Sequence, residues 1–353
     1  MESDVGAVLR RSPLALLALG PCVVALDWLG AADKLTIFVL AAAALIPLAW
    51  LIGEATEQAA YYTGAGIGGF LNASFGNAPE LIIALVAVSD GLTDVVRASL
   101  VGSVVGNLLL VLGFTLVVGP GGAIDRQSAA LSLGLVAFAT FLVLVASVPG
   151  FHGDPDRHSL AVLSLPFAVV LLLVRFIVTR YSLRRQRALN AAAAPTGDAS
   201  WSLRVALAVL GLATVVTAFV TDSLVGSLQT FASSAHLSAF FVAVVIVAIV
   251  GNATEHGSAI LLARRGKIRL ATEISLASSA QIAGLVIPLV ALASWAITPL
   301  ALSFRPIELV ALAIATVLPQ LVLARGRTTR VGGLILLAAY AALVVAFYDA
   351  GER

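Results

Sequence analysis

Charge is scarce in this sequence. Only 11% of its 353 residues are Asp, Glu, Lys or Arg, and 60% are hydrophobic. An ordinary soluble domain carries about 25% charged residues, so a soluble globular fold is excluded and an integral membrane protein is expected. A helix needs about 20 apolar residues to cross a bilayer. Apolar runs of that size tile nearly the whole chain, leaving no stretch for a separate soluble domain. Cysteine is almost absent. Cys22 has no intramolecular disulfide partner and is expected to be a small buried hydrophobe. The four histidines form no Cys/His cluster, which argues against zinc or haem. No nucleophile–base arrangement appears beyond the adjacent Glu255 and His256, so an enzyme is not expected. Nothing resembles the filter loop of a channel, and no nucleic-acid partner is expected.

What is present is a series of apolar runs with the basic residues between them. Eleven helices are predicted, over residues 13–29, 35–53, 64–89, 95–118, 128–148, 160–179, 203–221, 236–263, 270–297, 306–324 and 331–348. The first, behind Arg10 and Arg11, is read as a retained helix: no A-x-A-like cleavage site follows it. Basic residues mark cytoplasmic loops. With the N-terminus inside, "YSLRRQR" (181–187), "ARRGKIR" (263–269) and "ARGRTTR" (324–330) all fall inside, as do Arg10, Arg11 and Arg126. The outside keeps Lys34, Arg97, Arg157, Arg305 and Arg353, and the C-terminus is external. The longest polar break divides the chain into an extra N-terminal helix (1–32), a first half (33–180), a cytoplasmic linker (181–202) and a second half (203–353).

The two halves share a signature. "GNAPELIIALVAV" begins at Gly76 and "GNATEHGSAILLA" at Gly251, 251 − 76 = 175 positions later. Each is followed by a helix carrying serine and one amide: "ASLVGSVVGNLLLVLG" with Ser103 and Asn107, and "ISLASSAQIAGLVIPL" with Ser278 and Gln281. Without the first helix, five spans precede the linker and five follow it. An odd number per half makes the halves enter the membrane in opposite senses. That is the 5+5 inverted-topology repeat of secondary transporters, whose ion sites lie near the midplane where the halves meet.

Glu80 and Glu255 fall within spanning runs, where an unpaired carboxylate costs a few kcal/mol or more. Gly76 permits an unwound backbone and Pro79 suits the start of a helix, so "GNAPE" predicts a break and a restart. Such breaks are tolerated at membrane depth where they line a cavity. The spacings Asn77-x-x-Glu80 and Asn252-x-x-Glu255 also resemble a capping box, so each Asn is expected to cap its restarted helix. Two carboxylates, the amides Asn77, Asn252, Asn107 and Gln281, the hydroxyls of Ser103 and Ser278, and carbonyls freed at the breaks make an all-oxygen donor set. Such a set suits a hard cation such as Ca2+. His256 is expected in a supporting hydrogen bond to Glu255. Two ionised glutamates carry two negative charges, cancelled by one Ca2+ or by two protons. The empty charged site is costly to move through low dielectric, so it changes sides loaded or protonated, which is antiport.

"GGFLNASFGNAPELIIALVAV", "ASLVGSVVGNLLLVLG", "VAIVGNATEHGSAILLA" and "SLASSAQIAGLVIP" resemble the cation/proton exchangers of the calcium/cation antiporter superfamily. The resemblance runs through both repeats. It implies Ca2+ export driven by inward proton flow, with Ca2+ and H+ as transported substrates, the lipid bilayer as surroundings and no cofactor. The expected membrane is a prokaryotic plasma (inner) membrane. It also implies that Glu80 and Glu255 ligate both Ca2+ and protons, and that carbonyls of the two signature segments, at Gly76 and Gly251, complete the site. Asn77, Asn252, Ser103, Asn107, Ser278 and Gln281 support or line it, and the helices at 35–53 and 203–221 slide as a gate. Two positions depart from the family pattern: Ala277 stands where Gly is usual before Ser278, and Gly106 where Ser is common before Asn107. No acidic run marks the linker. Glu54 and Glu57 lie at the cytoplasmic end of the second span, where they either draw cations to the mouth or form a solvated helix end. Na+/Ca2+ exchange and monovalent cation (Na+ or K+)/H+ exchange on the same scaffold are the alternatives. Asn77 and Asn252 occupy positions that carry hydroxyls in sodium-coupled relatives, which favours protons. Oligomeric state is left open.

Overall fold

A computed structural model describes residues 17–190 and 201–351, apart from the side chains of 64–74 and 183–190. The protein is all-α. Among the described residues the β pairing is a single bridge between Ala123 and Arg327. The helices are α1 (Leu19–Trp28), α2 (Lys34–Phe75), α3 (Ala78–Ser89), α4 (Thr93–Val118), α5 (Arg126–Ser147), α6 (His158–Asn190), α7 (Leu203–Ser234), α8 (Ala239–Gly251), α9 (Ala253–Arg264), α10 (Ile268–Ala296), α11 (Pro306–Leu323) and α12 (Arg330–Ala350). Among the described residues eight helices have the length and hydropathy to cross a membrane. A ninth candidate is the pair α8–α9, bent by 59° at its break, while α1 and α3 are shorter apolar helices.

Several boundaries differ from the predicted ones. The loop expected between 53 and 64 is absent, and α2 runs through it. "GEATEQAAYY" is rich in Ala, Glu and Gln, which favour helix, so nothing local stops it. The predicted span 64–89 is cut at Asn77, the break that "GNAPE" predicts, and 236–263 is cut at the matching Asn252. The helix predicted to end at 221 continues to Ser234, where a turn with His236 at positive φ stops it and Ser238 caps the next helix. The basic start of the linker is helical to Asn190; residues 191–200, and those of the first predicted helix before 17, lie outside the described residues. Cys22 is exposed rather than buried. Lipid solvates an apolar side chain as well as a protein core does, so nothing requires an apolar membrane residue to face inward.

The two halves share several elements, although the single helix α2 stands where the second half has two, α7 and α8. α3 and α9 are both twelve residues long. α4 and α10 each contain a π-helical turn at a matching place, Gly106–Val111 and Ile282–Val286. The first turn contains the amide Asn107 and the second begins just after Gln281, and π turns inside helices are frequent at functional sites. The most extensive helix pairing joins α2 to α7, the two helices expected to act as a gate. α4 is the most buried span and crosses α8 closely at Gly102. A β-carbon there would collide with the Val244 carbonyl oxygen and come within 2.8 Å of the Ala248 β-carbon.

At the far end of α4, Arg97 is 1% exposed. Its guanidinium donates to Asp156 Oδ1 at 2.6 Å, to Asp94 Oδ1 at 2.6 Å and to the Ala301 carbonyl at 3.3 Å, tying α4 to two loops. Arg97→Leu leaves those acceptors without their buried cation. Both aspartates retain about a third of their exposure, so the expected loss is at the low end of that for a buried pair, about 2–3 kcal/mol. Thermal unfolding in detergent checks this: a lowered midpoint is expected, and an unchanged one removes the clamp.

Candidate functional site

Each signature is a helix that stops and restarts. α2 ends at Phe75, Asn77 takes a non-helical backbone (φ −113°, ψ 24°), and α3 begins with Pro79 and Glu80 in its first turn. In the second half α8 ends at Gly251, Asn252 takes nearly the same conformation (φ −101°, ψ 14°), and α9 begins with Glu255 in its first turn. A helix N-terminus carries partial positive charge, so both carboxylates stand where their charge is best tolerated.

Neither asparagine caps its own helix, contrary to the spacing-based expectation; no side-chain cap hydrogen bond forms at Asn77 or Asn252. The amides reach across to the other half instead. Asn77 Nδ2 donates to Gln281 Oε1. Asn252 Nδ2 donates to Ser103 Oγ at 2.8 Å and to the Ala248 carbonyl at 2.9 Å. Asn107 Nδ2 donates to Asn252 Oδ1 at 3.0 Å and to Ser278 Oγ at 3.1 Å. Each signature asparagine therefore meets the amide-bearing helix of the opposite half. Such reciprocal contacts are what a two-fold axis between the halves produces. The backbone break frees each amide to turn outward, and spacing along one helix carries no information about what waits across the interface.

The network spends the amide N–H groups on protein partners and leaves oxygens over. Among the described residues, Glu80 Oε1, Glu80 Oε2 and Asn107 Oδ1 are buried without a hydrogen-bond partner. Glu80 is 5% exposed, and Asn107 and Asn252 are fully buried. A carboxylate held so is stable only beside a cation or carrying a proton. Its side chain lies against the opposite signature: a β-carbon on Gly251 would sit 3.6 Å from Glu80 Cγ. Glu80, Ser99, Ser103 and Gly251 share a cavity of about 10 Å3, room for about one water.

Glu255 occupies a different setting. It lines an open vestibule of about 410 Å3 together with Gly76, Ser258, Ser278, Gln281 and the α2 carboxylates Glu54 and Glu57. Ser258 and Ser278 stand on the helices that flank the basic turn containing Arg264, Arg265, Lys267 and Arg269, so that turn joins two walls of the vestibule. The two glutamates thus differ in setting, one enclosed and one lining the open vestibule.

His256 does not take its expected place. Its Nε2 is buried without a partner among the described residues, and no hydrogen bond joins it to Glu255. Successive helical residues point about 100° apart, so a side chain next in sequence turns away from the vestibule. Pro79 is in the first turn of α3 as expected. Among the described residues no group of three or more His, Cys, Asp or Glu side chains comes together. A cation held here would therefore draw on two carboxylates and on neutral oxygens. Sequence reasoning missed Ser99, Thr254 and Ser258 as lining residues, and nothing in a polar residue's local context distinguishes these three. It also missed the close contact at Gly102, for which a signal exists: Gly102 and Gly106 form a G-x-x-x-G pair, the spacing of small residues at close membrane-helix crossings.

The model of the sodium/calcium exchanger protein family matches residues 34–183 and 205–348. A protein of Synechocystis named Ca(2+)/H(+) antiporter is 34% identical, covering 95% of this chain and 96% of its own length. The Ca(2+)/H(+) antiporter ChaA of Bacillus subtilis is 38% identical, covering 88% of this chain and 92% of its own. The solved structure of native YfkE superposes with a TM-score of 0.80 at 33% identity, covering 96% of this chain and 99% of that one. An H+/Ca2+ exchanger named CAX, at 15% identity and a TM-score of 0.74, shares the fold. Two broken helices that pair their amides across a repeat, on a scaffold matched nearly end to end, place the chain in the sodium/calcium exchanger protein family, among its cation/proton exchangers.

Proposed function

We propose that this protein is a secondary antiporter that exchanges cytoplasmic Ca2+ for external H+ by alternating access at one site shared by Glu80 and Glu255. The observation that carries the proposal is the enclosed Glu80 carboxylate, both of whose oxygens lack a partner among the described residues where the opposite signature packs against it. Asn107 Oδ1 adds a further free acceptor, and the carbonyls around Gly76 and Gly251 supply neutral oxygens at the two breaks. Six to eight such oxygens suit Ca2+. Asn77, Asn252, Ser103, Ser278 and Gln281 act chiefly by holding the two broken helices in register, since their hydrogen bonds are made to one another.

Two negative charges are cancelled by one Ca2+ or by two protons. The empty, doubly charged site is the form that cannot cross between the two sides, and this couples the fluxes. With the basic turns cytoplasmic, the vestibule at Glu255 faces the cytoplasm and receives Ca2+ past Glu54 and Glu57. The membrane is then the plasma membrane, with the N-terminus inside. Relatives named as Ca(2+)/H(+) antiporters at 33–38% identity support this choice of ions.

Uptake of radioactive Ca2+ into inverted vesicles tests the reading under a proton gradient, a Na+ gradient, or neither. Uptake with the proton gradient alone is expected. Uptake driven only by Na+ would overturn the proton assignment, and uptake without any counter-gradient would make the protein a channel.

A further inference from the structure

One charge in the membrane has no task in the exchange site. Arg175 lies inside the apolar span His158–Ser182, the least protein-covered of the long spans. Among the described residues, no hydrogen bond, ion pair or ring contact reaches its side chain. An intramembrane arginine is costly and marks a functional site by default, with a partner to be named.

The surroundings narrow what that partner is. The aliphatic stem of Arg175 packs into the junction of α5, α6 and α10. A β-carbon on Gly284 would sit 3.4 Å from Arg175 Cδ and 2.9 Å from Leu135 Cδ2. The glycine makes room chiefly for Leu135, and the arginine stem lies in ordinary contact beside it. On the other side Leu173, Phe176 and Ile177 are 58–64% exposed and face lipid. Arg175 itself is only partly exposed, between that junction and the lipid-facing side of α6. Among the described residues no carboxylate of this chain pairs with Arg175; Glu80 is enclosed, Glu54, Glu57 and Glu255 line the vestibule, and Glu308 accepts from the Arg305 backbone at the start of α11. Arg175 precedes Ser182 by seven residues, about 10 Å along the helix. Arg180 and Tyr181 occupy the intervening turn and are exposed, and Tyr181 accepts a hydrogen bond from Gln127 of α5 at 2.8 Å. An aromatic and an arginine at that level mark the membrane interface, within reach of a long side chain.

We propose that Arg175 binds the phosphate of an anionic phospholipid, seated in the groove between α5 and α6 in the leaflet on the Tyr181 side, with Arg180 at its rim. The planar guanidinium offers paired donors to phosphate oxygens, and basic clefts between membrane helices on the cytoplasmic side suit such headgroups. The lipid neutralises a cation that the protein leaves unpaired, and its acyl chains cover the exposed face of α6. This assignment is independent of which ions the transporter exchanges.

The test uses the full-length protein purified in an uncharged detergent. Phosphatidylglycerol, phosphatidylcholine or inorganic phosphate is added, thermal unfolding is followed, and lipid adducts are counted by native mass spectrometry. Phosphatidylglycerol is expected to raise the midpoint by about 3 °C and to give a retained adduct. In Arg175→Leu both effects are lost, while Arg175→Lys keeps part of them. If the leucine variant fails to fold, Arg175→Gln serves in its place. An equal response in the leucine or glutamine variant overturns the proposal, as does an equal response to phosphatidylcholine. Stabilisation by inorganic phosphate alone means a free-anion site and overturns the lipid. A change of oligomeric mass in the variant without any lipid response assigns the groove to a second copy of the chain and overturns it as well.

Discussion

Glu80→Gln and Glu255→Gln each reduce Ca2+ uptake into inverted vesicles by at least about 100-fold. Glutamine preserves the shape of the side chain and, on the proposed mechanism, removes one of the two charges facing the cation. A unit charge pair about 4 Å apart is worth about 4 kcal/mol at an effective dielectric of 20, and a divalent ion doubles this. A hundred-fold loss needs only about 2.7 kcal/mol, so either substitution is sufficient. The site also loses its proton-carrying group, so the remaining charge can no longer be balanced in both loaded forms. Folding should not suffer. The Glu80 oxygens have no hydrogen bond among the described residues to lose, so the midpoint of thermal unfolding is expected to hold or rise. Transport close to the native level in either variant would sink the two-glutamate site. Transport lost together with the fold would leave Glu80 a structural role, and the unfolding curve separates the two.

The second large effect is expected at a residue with no charge. Gly102→Ala places a methyl group against the Val244 carbonyl and the Ala248 β-carbon, both fixed on α8. Neither is the free end of a flexible chain, so the helices must part. Overpacking of this kind costs about 1–3 kcal/mol, and it falls next to Ser103, whose hydroxyl holds Asn252 at 2.8 Å. Exchange is expected to fall at least tenfold as that bond opens. Gly106→Ala is the control, since a β-carbon there meets nothing within 4 Å; its transport should stay within about twofold. If the two alanine variants behave alike, the close crossing of α4 and α8 does not matter to the site.

The contrast between these two predictions matches the contrast in what could be read from residues in order. Glu80 and Glu255 were legible because a carboxylate in an apolar run is anomalous by itself, and because the anomaly recurs after 175 residues. The helix break at Asn77 was legible too, since Gly76 and Pro79 act on their own backbone; the one at Asn252 has no proline and was legible only through the repeat. The direction of the two amides was not. Asn-x-x-Glu has the spacing of a cap, and the cap did not form. The true partners of Asn77 and Asn252 include Gln281 and Asn107, 204 and 145 residues away in sequence. The continuous helix through 53–64 was misread for the opposite reason: a polar stretch suggested a loop, although its residues favour helix.

By itself the sequence determined that this is a membrane protein of two related halves, each carrying one costly carboxylate. Those facts rest on hydropathy, spacing and repetition, which are properties of the chain and survive without a fold. Only the tertiary structure decided that Glu80 is enclosed while Glu255 faces a vestibule, and that the asparagines bind across the halves. It also decided that Gly102 sets the distance between α4 and α8 and that no hydrogen bond or ion pair reaches Arg175 among the described residues. Access, hydrogen-bond direction and charge pairing are relations between segments far apart in sequence. They acquire values only when packing brings those segments within a few ångströms of one another.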